Sequence, residues 1–393
     1  MGGWSLDKKI ISIYMGNPDN SNHAELELPA TPWELVDAMD KLRLSEEQQP
    51  YWRLEDAGRY HFLVPHLDDW DFYKFNALAE QLSTFSDVNA VAFEGLVKMA
   101  VDRLCKINGG VLTLQRVLDM AYSADRCHVV PGIKDDEALG HFCVENDFLP
   151  ELENIPEDVL RMLDYARIGK AMREREDGVI TPYGYVAQSG ALRQAPPNLG
   201  RHARKPPYMI RFFCINATRV LQLHLPATQA KLDTTLECLG ANSWREVRFE
   251  DPDSAIPDMC ELADMAYGDI GQINRFAECL ADIEEAGELV KFKAAIQQLC
   301  ITNLEDATTL ADHLDEYVLE PGICSSKQLA QDEISTLLDE RECGLLQQYL
   351  NMDAYGAELM QRNNGAIGSY GYLARLDGQP MHLPQQGADM TMQ

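Results

Sequence analysis

The chain has 393 residues, 46% of them hydrophobic and 25% charged. That balance excludes global disorder and, at about 150 residues per domain, implies two or three domains. Lys and Arg number 34 against 63 Asp and Glu, a net charge of -29, which excludes direct binding to nucleic acid or to an anionic membrane because holding phosphates requires a basic footprint.

Residues 1–6, Met-Gly-Gly-Trp-Ser-Leu, contain no apolar signal-peptide core, and Leu6 stands where myristoylation needs Ser or Thr. No uncharged apolar run approaches the ~18 residues of a membrane span. The ten cysteines form no CxxC pair and lie scattered in apolar stretches, as reduced thiols do. A soluble, cytoplasmic protein is expected. In chain order, residues 10–15 read as a strand, and a second short strand leads to Leu28-Pro29-Ala30-Thr31. Leu35, Met39 and Leu42 then recur at helical spacing. Residues 59–126 read as helical almost throughout. Pro131-Gly132-Ile133 marks a turn before the acids Asp135, Asp136 and Glu137, one or two helices, and a closing strand at Tyr183-Gly184-Tyr185. Residues 188–207 hold four prolines, no acid and four bases, Arg193, Arg201, Arg204 and Lys205. They read as an extended basic linker whose cations lie along the chain's own acidic surface.

The same order then repeats. Leu225-Pro226-Ala227-Thr228 answers the first tetrad, and Leu232, Leu236 and Leu239 the helix after it. Asn274-Arg275-Phe276-Ala277-Glu278-Cys279-Leu280 answers Asn76-Ala77-Leu78-Ala79-Glu80-Gln81-Leu82. Pro321-Gly322-Ile323 and Tyr370-Gly371-Tyr372 answer the later pairs. The chain is therefore read as copy 1 (1–187), linker (188–207), copy 2 (208–376) and a flexible tail (377–393). Each copy has a strand-containing front, a helical middle and an α+β end, so the fold class is α+β.

Acid is not spread evenly. Residues 258–316 hold 14 acids and 3 bases. A helix over 301–316 would bury Leu304, Ala307, Ala311 and Leu314 and group Glu305, Asp312 and Glu316 within about 40° on the opposite side. Asp282, Glu284, Glu285 and Glu288 form a second cluster upstream. The ridge aligns with Gln115, Tyr122 and Arg126 in copy 1. Asp135, Asp136 and Glu137 align with Ser325, Ser326 and Lys327 in copy 2. These ten acids are the candidate partner-binding residues, as phosphate mimics. At one charge per ~1.7 Å of axis, the net charge equals that of about 50 Å of duplex DNA.

No HExxH, GxSxG, Walker, GxGxxG or EF-hand pattern occurs, and the nine histidines show no ligand spacing. No catalytic residue, metal or cofactor is expected.

Asn-x-x-Ala-Glu-x-Leu in both copies, Val130-Pro131-Gly132-Ile133 with Leu139-Gly140, Leu163-Asp164-Tyr165-Ala166-Arg167-Ile168-Gly169, and Thr181-Pro182-Tyr183-Gly184-Tyr185 together resemble the ArdA antirestriction family. Copy 2 keeps Met352-Asp353-Ala354-Tyr355-Gly356, with Ala330 for Gly140 and Asn351 for Asp164. The family has one such unit per chain; here there are two. The resemblance implies elongated units of three small subdomains that mimic bent DNA. It also implies an anti-defence protein of a phage or mobile element that blocks the DNA cleft of a host restriction–modification enzyme, chiefly Type I. The partner would be that host complex, met by a monomer acting as a pseudo-dimer, with a homodimer as the alternative. An anti-CRISPR inhibitor using the same surface, an acidic interaction scaffold and an unrecognised enzyme remain the other readings.

Overall fold

The computed structural model describes residues 9–19, 21–44, 48, 50–66, 71–108, 112–150, 159, 162–199, 205–259, 269–338, 342, 344, 346 and 349–382. Residues 1–6, Arg201, Arg204 and the tail after 382 lie outside them. Copy 1 runs β1 (Ile11–Gly16), β2 (His23–Leu28), α1 (Pro32–Leu42), β3 (Tyr51–Asp56), α2 (Phe72–Ser83), α3 (Asp87–Asn108), α4 (Leu114–Ala121), β4 (Cys127–Pro131), α5 (Asp136–Glu145), α6 (Tyr165–Glu176), β5 (Val179–Thr181) and β6 (Gly184–Gln188). Copy 2 repeats it as β7 (Ile210–Asn216), β8 (Arg219–Leu225), α7 (Gln229–Leu239), β9 (Arg248–Ser254), α8 (Ile270–Glu285), α9 (Leu289–Gln298), α10 (Leu304–Asp312), β10 (Tyr317–Glu320), α11 (Ser326–Leu337), α12 (Met352–Arg362), β11 (Ala366–Gly368) and β12 (Gly371–Arg375). The fold is α+β. No helix among the described residues is long and apolar enough to cross a membrane.

Among the described residues four three-stranded sheets result, ordered β2-β1-β3, β8-β7-β9, β4-β6-β5 and β10-β12-β11. The third front strands, β3 and β9, go beyond the sequence reading. Both are edge strands dense in charge, and β9 carries Pro252, which only an edge position tolerates. Strands β4 and β10 were likewise not expected before the Pro-Gly turns.

The recurring motifs turn out to hold each copy's front to its middle. Asn76 Oδ1 accepts from the Ala30 N–H at 2.7 Å, and its Nδ2 donates to the Ala30 carbonyl at 3.0 Å. Asn274 repeats both bonds on Ala227, at 2.7 and 3.1 Å. Thr31 and Thr228 cap α1 and α7 through side-chain oxygens that accept from Glu34 and Lys231 N–H groups. In the ends, a Cβ on Gly169 or Gly356 would lie 1.8 Å from the carbonyl oxygen of Asp136 or Ser326. Those glycines let α5 meet α6, and α11 meet α12, at backbone contact.

Packing cuts across the sequence halves. One compact unit comprises Met1–Ile13, Glu27–Ala30 and Leu54–His202; the other comprises Tyr14–Leu26, Thr31–Arg53 and Ala203–Gln393. Helix α1 thus belongs to the second unit, although it lies in copy 1. Its side chains give the reason. Trp33 is fully buried, with its Nε1 donating to the Tyr208 carbonyl at 2.8 Å, and it shares a core with Phe212, Phe276 and Phe292. Lys293, 1% exposed, places its Nζ 2.9 Å from Asp37 and 2.8 Å from Asp40. Tyr370 donates its hydroxyl to Asp37 at 2.8 Å. Burial pushes the Asp37 carboxyl up, yet the Lys293 and Lys41 ammoniums outweigh it and hold it below its ordinary value. At the matching positions α7 presents Ala230, Asp233, Thr234 and Glu237, all exposed. Helix α1 therefore buries two faces and α7 one, a difference that helical periodicity alone does not reveal.

Candidate acidic interface

Helix α8 buries Ile270, Ile273, Phe276, Ala277, Leu280 and Ile283. The 3-4 spacing of these residues turns Asp282 and Glu285 out to solvent and leaves Glu284 partly covered. All three acids fall in the last turn, which has no base. Helix α10 buries Leu304, Ala307 and Leu310, and ends on the exposed Asp312. The two helices pack together. Cys279 of α8 shows the result: burial pushes its thiol up to about 11, with the charges of Asp312 and Asp282 adding to the rise. The charge of one acid from each cluster thus acts on the same thiol.

The position of these acids is costly. A helix C-terminus carries a partial negative charge, and an anion there is unfavourable by about 0.3–1 kcal/mol. Among the described residues Asp282, Glu285 and Asp312 have no ion-pair partner. In copy 1 the matching last turns hold only Glu80 and Asp119, and Asp119 accepts from Gln115 and from the Ala195 N–H.

The other candidates differ. The helix expected over 301–316 stops at Asp312, and Leu314–Glu316 forms a 3-10 turn. The ridge is therefore not one continuous helix face. Glu316 lies 2.9 Å from Arg375, a side chain only 9% exposed, and 2.8 Å from His313 Nδ1. It is neutralised by a base 59 residues away that the local sequence could not show. Glu305 is exposed in the first turn of α10, where an acid complements the helix dipole. Glu284 is paired with Lys205 of the linker, and Glu288 lies 2.5 Å from Lys291.

Two of the three acids of the copy 1 end have partners within the fold. Asp135 caps α5, accepting from the Ala138 N–H at 2.8 Å, and Ser325 caps α11 in the same way. Asp136 forms a two-bond pair with Arg173 of α6 at 2.7 and 2.9 Å, and those bonds hold its carboxyl below the ordinary range. Glu137 is exposed beside them. Of the linker cations, Arg193 pairs with Asp125 at 2.8 Å and Lys205 with Glu284.

No group of three or more His, Cys, Asp or Glu placed to hold a metal occurs among the described residues. No protein-family model matches the chain, and a search of curated proteins finds no match.

Proposed function

We propose that the protein is a cytoplasmic, non-enzymatic DNA mimic that competitively blocks the DNA cleft of a host defence enzyme, with a Type I restriction–modification complex as the target and no cofactor. The observation that carries this reading is the set of exposed acids Asp282, Glu285 and Asp312 at two adjoining helix C-termini, where each costs folding energy. Acidity that served solubility alone would favour helix N-termini and an even spread. Carboxylates fixed on packed helices present charge to a basic cleft as phosphates do, and their approach is steered by the same long-range field.

The test is cleavage of an unmodified plasmid by a purified Type I enzyme. The protein should inhibit it. The double reversal Asp282→Lys with Asp312→Lys should raise the inhibitory concentration at least about tenfold at low salt. The same charge change at Asp332 and Glu358, exposed on α11 and α12, should have a smaller effect. Absence of inhibition, or equal loss in both variants, would count against the proposal.

A further inference from the structure

The front sheet of copy 1 buries Ile11, Ile13, Met15, Ala24, Leu26 and Leu28 on one side. Its other side carries aromatic rings that the acidic mimicry does not use. His23 on β2 stacks with Tyr14 on β1, ring centroids 5.6 Å apart and planes 13° from parallel. Tyr51 on β3 lies 6.2 Å from Tyr14 and is 50% exposed. One ring from each strand therefore forms a row across the sheet. Arg53 places its guanidinium carbon 4.6 Å from the Tyr14 ring centre. Glu25, two residues after His23 and so on the same side, is exposed. A Cβ on Gly16 would lie 2.3 Å from the Tyr51 ring, so glycine there leaves room for the hydroxyl end of that ring against β1. The pairing of guanidinium and ring recurs in copy 2, where Arg211 lies 5.4 Å from Phe213 on the matching central strand β7.

We infer that this face is a docking surface for arginine side chains of a basic protein partner. The inference rests on the reading that the partner is basic, and it names the contact. Ring faces attract cations, and the planar, weakly hydrated guanidinium stacks on them better than an ammonium does. Arg53 on Tyr14 displays that geometry within the chain itself. Glu25 supplies a carboxylate beside the rings for a second bond to the incoming guanidinium. Tyr and Arg are also the residues that anchor protein interfaces. The same rings would stack nucleobases, but Glu25 and the net charge of -29 repel the attached phosphates.

The experiment measures binding of the full chain to an arginine–glycine peptide and to a lysine–glycine peptide of equal length and charge. It needs no restriction enzyme, so its failure is separate from failure of the proposed function. The arginine peptide should bind about threefold tighter or more. Tyr51→Leu, at a half-exposed position whose folding a thermal melt checks, should erase that preference and leave the lysine affinity unchanged. Gly16→Val, which displaces the same ring, should act likewise, while Tyr14→Phe should retain the preference. Equal binding of the two peptides by the unaltered chain, or a preference that survives Tyr51→Leu, would overturn the inference. Binding of a single-stranded oligonucleotide that Tyr51→Leu abolishes would overturn it in favour of nucleobases.

Discussion

Cys279 reports on two of the three acids that define the candidate interface, Asp282 and Asp312. Its raised thiol stays protonated at neutral pH, so it should alkylate slowly in the folded chain. Replacing Asp282 or Asp312 by Asn removes a nearby negative charge, lowers the thiol pKa and should speed alkylation at position 279, measured by mass spectrometry. An unchanged rate in both variants would show that the acids do not face it. Asp136 offers a second residue-scale test. Its bonds to Arg173 hold its folded-state pKa below the unfolded value. The resulting stability, about 1 kcal/mol for a pair whose side chains are 32% and 26% exposed, is therefore complete above the ordinary aspartate range. It is lost as the pH falls through the lowered folded-state pKa. Denaturation of Asp136→Asn and the unaltered chain should differ at pH 7 and converge in strong acid; a constant gap would contradict the pairing. The caps at Thr31, Thr228, Asp135 and Ser325 are local features, yet they emerge only in the structure, and Asp135 reads in sequence as a partner-binding acid. The roles of Asn76 and Asn274 had no local signal at all, since each bonds backbone 46 or 47 residues away.

Helices α8 and α10 show how function and stability part at the scale of an element. Asp312→Asn removes an unfavourable anion from a helix C-terminus. It should stabilise the protein by a few tenths of a kcal/mol, up to about 1, while weakening inhibition. Glu316→Gln should do the reverse, costing up to about 1 kcal/mol by taking one of two carboxylates from the partly buried Arg375. Thermal melts of the two variants distinguish an acid kept for binding from one kept for folding. A destabilised Asp312→Asn would contradict the assignment. Apolar spacing, a local signal, placed α8 within a helical stretch and found Leu304 and Ala307 on the buried face of α10, where Leu310 rather than the expected Ala311 completes it. It carried α10 too far, because Leu314 continues the apolar pattern although the backbone tightens after His313. Periodicity also missed β3 and β9, whose charged residues hide the alternation of an edge strand.

At the scale of the whole chain, the duplication was legible because the motifs recur in order. The packing units were not. The face of α1 that joins the second unit comprises Trp33, Val36, Asp37 and Asp40, and in sequence those residues read as one ordinary amphipathic helix. A chain of residues 208–393 alone would leave Lys293 buried without its two carboxylates and open the core beside Tyr208. Loss of such partners typically costs several kcal/mol. That fragment should lack a cooperative thermal transition, and a sharp one near that of the full chain would show α1 to be dispensable.

The central claim is that the acidic surface takes the place of DNA. The direct measurement is displacement of a labelled unmodified duplex from a Type I enzyme as the protein is titrated in, followed by fluorescence anisotropy at several salt concentrations. Competitive mimicry predicts complete release of the duplex, with an apparent affinity that falls steeply and linearly on a log–log plot against salt. A duplex that stays bound at saturating protein, or a displacement indifferent to salt, would contradict it.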